Sequence, residues 1–141
     1  MTYLLDTSVW LRAVSHELSL PMAVRNLFRD PQAQFALSVF SIWEVCKKHQ
    51  IGKLKLPFSI EQWLDRALSS NISVLPLSNA IILDATRLPD FPNKDPADEI
   101  VTATARVHDL TLLTTDRLLK KYKHAKVKYF KPLKKTGGST H

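Results

Sequence analysis

The sequence predicts a single α/β domain: a mostly parallel central sheet of about five strands, flanked by helices. Three observations lead there. Short apolar runs alternate with longer stretches whose apolar residues recur every three to four positions. Alternation of that kind builds parallel sheets, because each crossover lays a helix on a sheet face. The chain also has 141 residues, 45% of them hydrophobic, with no internal repeat and no long Gly/Ser/Pro linker, which suits one core. The domain is expected to span residues 1–133, and 134–141 to form a basic, frayed tail.

The elements follow in order. Tyr3-Leu4-Leu5 reads as a strand and is followed by a helix over about Ser8–Val14. A second helix spans about Pro21–Arg29, with proline tolerated in its first turn. Gln34-Phe35-Ala36-Leu37 is the next strand. Ile42, Val45, Cys46 and His49 then stand at i, i+3, i+4 and i+7 of a helix that Gly52 stops as a C′ residue. Ser59 caps a helix whose stripe is Ile60, Trp63, Leu64, Ala67 and Leu68. Ser73-Val74-Leu75 is a strand, and Asn79–Leu88 a helix capped by Ser78 or Asn79. Pro96–His108 is a helix, Leu110–Leu113 a strand, Asp116–Tyr122 a short helix and Val127–Phe130 the last strand.

Composition narrows the function. No apolar run approaches the roughly 20 residues of a spanning helix, and the start, Met1-Thr2-Tyr3-Leu4-Leu5-Asp6, lacks the basic n-region of a signal peptide. Cys46 is the one cysteine, which excludes an intrachain disulfide. A cytoplasmic protein with no membrane contact is expected. Residues 1–116 carry 11 Lys/Arg against all 13 Asp/Glu, whereas 117–141 carry nine Lys/Arg and no acid. A segment that basic suits a polyanion such as nucleic acid, or else serves as a solubilising tail.

In open parallel sheets the functional crevice lies beyond the carboxyl ends of the strands. Acids gather there in this sequence. Asp6 follows the first strand, Asp116 follows Leu112-Leu113-Thr114-Thr115, Glu44 lies early in the helix after the second strand, and Asp95 and Asp98 open the helix at Pro96. Carboxylates brought together repel unless a cation sits among them, and hard oxygen donors with few His or Cys nearby suit Mg²⁺ or Mn²⁺. An acidic centre beside a basic segment suits phosphodiester cleavage.

Each acid also has a purely structural explanation. Asp95-Pro96-Ala97-Asp98 makes a good helix start, with a capping Asp, Pro at N1 and an acid at N3. Ser41-Ile42-Trp43-Glu44 matches a capping box, and Asp116 is placed to cap a helix of its own. Asp6 exceeds the needs of a cap where Thr7 or Ser8 would serve. His49 and Cys46 read as packed apolar positions, His108 as a helix C-terminal residue, and Trp10, Trp43 and Trp63 as core residues by their spacing. Lys47 and Lys48, one turn past Glu44, are candidate phosphate contacts or a solvated face. A phosphoacceptor receiver domain would explain Asp6 and Lys131-Pro132. It requires an acid after the central strand, where this chain has Pro76-Leu77-Ser78 and no acid before Asp84.

Four segments in order resemble the PIN domain and, within it, VapC-like ribonuclease toxins. They are Leu4-Leu5-Asp6-Thr7-Ser8-Val9-Trp10-Leu11, Ser38-Val39-Phe40-Ser41-Ile42-Trp43-Glu44-Val45 with Ile51–Pro57, Asp95–Ala105, and Leu112-Leu113-Thr114-Thr115-Asp116-Arg117. The resemblance implies an acidic quartet of Asp6, Glu44, Asp98 and Asp116, both catalytic and holding Mg²⁺ or Mn²⁺. It implies supporting hydroxyls at Thr7 or Ser8 and Thr114, while Arg117 joins Lys47 and Lys48 as a candidate phosphate contact. It further implies an endoribonuclease that leaves a 3′-hydroxyl and a 5′-phosphate, a homodimer, and inhibition by a cognate VapB-like antitoxin. The chain departs from the family at Asn93, near which relatives often carry histidine, and at Glu99, where arginine is common. The competing expectation is a PIN fold that binds RNA or protein without cutting.

Overall fold

The computed structural model describes residues 2–68 and 71–133, so the tail expected over 134–141 lies outside the described residues. Five strands form one sheet: β1 (Thr2–Leu5), β2 (Gln34–Ser38), β3 (Ile72–Leu75), β4 (Thr111–Thr114) and β5 (Val127–Tyr129). Their order is β3-β2-β1-β4-β5 and every neighbouring pair is parallel. The register aligns Leu5 with Leu37 on one side and with Leu113 on the other. Six helices connect the strands among the described residues: α1 (Thr7–Ser15), α2 (Met22–Arg29), α3 (Val39–Gln50), α4 (Ile60–Ala67), α5 (Asn79–Ala85) and α6 (Pro96–Val107).

The two-residue period of the strands sorts the core into two layers. Leu5, Phe35, Leu37 and Leu113 point to one face, where they meet Val9 and Trp10 of α1, Val24 of α2, Val45 of α3 and Trp63 of α4. Leu4, Ala36 and Leu112 point to the other, against Val101 and Ala105 of α6. Ala103, on another side of α6, packs on Ile81 and Ala85 of α5. Burying one such side chain is worth about 1.5–3 kcal/mol, against about 1 kcal/mol for a helix cap. The alternation along the strands, more than the caps, therefore decides where each helix lies.

Several boundaries differ from the sequence reading. α3 begins at Val39, because β2 runs into it without a loop and the Ser38 hydroxyl caps it by accepting from the Phe40 amide at 3.1 Å. The capping box expected at Ser41–Glu44 is therefore not formed. Ser41 lies inside the helix, fully buried, and takes a 2.8 Å hydrogen bond from the Thr7 hydroxyl. Trp10 and Trp63 are buried and meet edge to face at 5.2 Å, but Trp43 is 55% exposed and stacks on Phe40, which corrects its assignment to the core. Cys46 is half-buried. α5 ends at Ala85 rather than Leu88, and the short helix expected from Asp116 is a 3₁₀ turn, Arg117–Leu119. A further 3₁₀ turn, Glu17–Ser19, had no clear signal in the sequence.

Candidate active site

The strand order reverses between β1 and β4, since β2 and β3 extend from one side of β1 and β5 from the far side of β4. That is the position at which open α/β sheets form a crevice. The first acid sits there. Asp6 follows β1, and its backbone amide donates to the Leu113 carbonyl of β4 at 3.2 Å. Asp6 is also the N-cap of α1: its Oδ1 accepts from the Val9 amide at 2.8 Å and the Ser8 hydroxyl at 3.0 Å. Its Oδ2 accepts from the Thr114 hydroxyl, whose oxygen in turn accepts from the Asp116 amide at 3.0 Å. Burial drives the Asp6 pKa above the ordinary carboxylate value, and these hydrogen bonds pull against it.

The opposite wall comes from α6. Asp95 caps this helix by accepting from the Ala97 amide at 3.0 Å, Pro96 takes N1, and Asp98 takes N3. Burial pushes the Asp98 carboxyl up to about 7, with further increments from the charges of Asp95, Asp116 and Asp6. Asn93 lies between two of these acids. Its Nδ2 donates to Asp98 Oδ2 at 3.1 Å and to Asp116 Oδ2 at 3.4 Å. The other Asp116 oxygen accepts from the Leu118 amide at 2.9 Å and so caps the 3₁₀ turn. From α3, Glu44 reaches the same space with Lys48 one turn on, Nζ to Oε2 3.4 Å.

Together these residues line a cleft of about 160 Å³ whose walls include Asp6, Thr7, Ser8, Glu44, Lys48, Asp98 and Asp116. Four carboxylates on one small cleft, two of them raised in pKa by burial, form a donor set that a hard divalent cation would stabilise. Among the described residues no three His, Cys, Asp or Glu side chains are already gathered closely enough to hold an ion. The four carboxylates nonetheless share one cleft lining, and as hard oxygen donors they fit a divalent cation by their chemistry.

The PIN domain family model matches residues 3–125. The chain belongs to the PIN domain family. This PIN domain is 29% identical over 125 residues to Ribonuclease VapC22 of Mycobacterium tuberculosis, an alignment that covers 87% of this chain and 93% of that protein. Among solved structures it is similar to VapBC2 from Rickettsia felis bound to a promoter DNA fragment, with TM-score 0.72, 18% identity, and 92% and 98% of the two chains covered. It is also similar to a toxin–antitoxin complex from Klebsiella pneumoniae, with TM-score 0.66, 22% identity and the same coverage. At those identities the structural likeness speaks for the fold.

Within this PIN domain, Asp6, Glu44, Asp98, Asp116, Thr7, Ser8 and Lys48 meet at the cleft, and Thr114 braces Asp6 from below. Asp95 is exposed and serves its helix cap. Lys47 turns away, its ammonium donating to Gln50 at 2.9 Å, and Arg117 is exposed outside the cleft lining. The sequence reading gave no role to Asn93 or to Thr115, whose hydroxyl lies 3.0 Å from that of Ser8. Asn93 had left a local trace. An Asn two residues ahead of a capping Asp marks an Asx turn, and its Oδ1 does accept the Asp95 amide at 2.9 Å.

Proposed function

We propose that this protein is a metal-dependent endoribonuclease, the toxin of a toxin–antitoxin pair. The observation that supports it most is the meeting of Asp6, Glu44, Asp98 and Asp116 on one cleft at the switch point of the sheet. These four would hold Mg²⁺ or Mn²⁺, which supplies Lewis acidity at the phosphoryl group and a lowered pKa for water. The chain's own groups do the rest. Ser8, Val9 and Thr114 fix both oxygens of Asp6, so that carboxylate faces the cleft without searching rotamers. Asp98, whose carboxyl burial raises to about 7, would have to be deprotonated to hold the cation. Lys48 places an ammonium at the rim, where it can exchange Glu44 for an RNA phosphate. The ends produced would be a 3′-hydroxyl and a 5′-phosphate.

The same reading includes a VapB-like antitoxin. A groove of about 1570 Å³ runs past Trp10, Arg12, Val14, Arg25, Phe28 and Phe58, and Ser8 and Leu11 line both the groove and the cleft. An inhibitory peptide in this groove would lie against the acids. The reading also includes a homodimer, for which Trp43 and Leu83, 55% and 50% exposed, offer apolar surface. No helix among the described residues is long and apolar enough to cross a membrane, and the proposed substrate places the protein in the cytoplasm.

The test is cleavage of RNA by purified protein with Mn²⁺, comparing wild type with D6N and D98N. Each substitution is expected to lower the rate by at least a hundredfold, and sequencing of the RNA ends should give 5′-phosphates. Undiminished cleavage by either variant would remove the cleft from consideration. Binding without cutting by wild type would favour the non-catalytic module.

A further inference from the structure

Asn93 occupies a position that its turn role alone does not explain. Its side chain has two ends with opposite chemistry, and the surroundings fix which is which. The Asp95 backbone amide is a donor, so the oxygen faces it at 2.9 Å. The carboxylates of Asp98 and Asp116 are acceptors, so the NH₂ faces them at 3.1 and 3.4 Å. The reverse orientation would set donor against donor and acceptor against acceptor. Asp98 comes from the first turn of α6, while Asp116 comes from the end of β4, 23 residues from Asn93. No backbone ladder joins α6 to the β4 end at that point, and the two carboxylates repel. Asn93 is the neutral donor that spans them.

We propose that Asn93 is a positioning residue for the divalent ion: its amide nitrogen holds Asp98 and Asp116 at one separation and orientation, so that the cation meets a preformed pair. This rests on the metal-dependent reading above. The amide takes one oxygen of each carboxylate, Oδ2 of Asp98 and Oδ2 of Asp116, while the other Asp116 oxygen is held by the Leu118 amide. Groups of this kind, one shell out from a metal, typically change affinity by about 10- to 100-fold when lost.

The two ends of Asn93 can be separated by substitution. N93S keeps an oxygen one atom shorter, able to accept the Asp95 amide as serine turns do, but it has no amide to span the acids. N93A loses both. Mn²⁺ binding to the full-length protein is measured by electron paramagnetic resonance, together with RNA cleavage over a range of Mn²⁺ and thermal melts in EDTA. The expected result is Mn²⁺ affinity about tenfold weaker in both variants, with cleavage at limiting Mn²⁺ reduced alike and largely restored at saturating Mn²⁺. N93S should melt close to wild type in EDTA, which excludes misfolding as the cause. If N93S binds Mn²⁺ as wild type does while wild type cleaves RNA, Asn93 is a turn residue only and the inference fails alone. If wild type takes up no Mn²⁺, the proposed function and this inference fail together.

Discussion

Asp6 does two things with one carboxylate: it caps α1 and it faces the cleft. Substitution separates these. D6N keeps an acceptor for the Val9 amide and removes a charge that burial disfavours, so it should be at least as stable as wild type in urea with EDTA at pH 8. D6A loses the cap as well and should be about 1 kcal/mol less stable than D6N. Asp98 allows a test by pH. Its folded pKa, about 7, lies well above that of an ordinary aspartate, so the folded form is the one that retains the proton. Its contribution is full below about pH 4 and is lost as the pH rises through 7. Without metal, wild type and D98N should melt together near pH 4, and D98N should melt higher at pH 8. Mn²⁺ affinity should climb steeply up to about pH 7 and level off above, since the ion displaces that proton; a flat profile would contradict the assignment. These acids were legible in the sequence because each follows a strand or opens a helix. The caps expected of Asp95 and Asp116 are formed, whereas Asp6 also caps its helix although Thr7 and Ser8 were available for that role; Asp6 and Asp116 line the cleft as well. The fork made by Asn93 was not legible, because its second partner, Asp116, lies 23 residues away and it is the packing of α6 against β4 that brings the two ends together.

At the scale of elements, the sequence carried helix positions better than helix ends. Gly52 was read as the stop of α3, and its φ of +79° shows why glycine is there. A Cβ built at Gly52 meets nothing within 4 Å, so G52A should cost only the backbone strain, about 1–2 kcal/mol in urea unfolding. The start of α3 was misplaced because Ser38 and Ser41 both suit a cap; local chemistry could not choose between them, and direct passage from β2 into the helix did. Helix α6 holds the opposite case. Thr102 is fully buried, one turn after Asp98, and its hydroxyl has no hydrogen-bond partner among the described residues. Leaving such a group unsatisfied costs about 1–3 kcal/mol, and valine has nearly the same shape. T102V should therefore raise stability by about 1 kcal/mol without loss of cleavage, as read by urea unfolding and a rate assay. Nothing in the sequence separated Thr102 from Thr104, which donates back to the Ile100 carbonyl at 2.7 Å as helical threonines commonly do.

Across the whole molecule, acidic and basic groups divide along one edge of the sheet. The acids collect at the β1–β4 switch point, while the chain after Asp116 carries nine Lys/Arg and no acid. Part of that charge returns to the same edge. The Phe130 amide donates to the Thr114 carbonyl at 3.1 Å, so β5 ends beside the β4 end and Lys131 follows directly. Other cations in the segment are engaged locally: Lys126 pairs with Asp109 at 2.8 Å and Lys120 lies over the Tyr129 ring at 5.2 Å. Lys128 and Lys131 are both exposed. On the proposed function they would meet phosphates of an RNA strand whose scissile bond lay at Asp6 and Asp116. D98N, expected to bind RNA without cutting it, allows the affinity to be measured alone. Its logarithm should fall linearly with the logarithm of salt concentration, and each lysine in contact contributes about 0.7 to the slope. Replacing Lys128 and Lys131 together by alanine should then reduce the slope by about 1.4, whatever the RNA sequence, because phosphate contacts carry no sequence information. An unchanged slope would mean that the RNA path leaves the cleft on another side, and the rim formed by Lys48 on α3 would become the place to look.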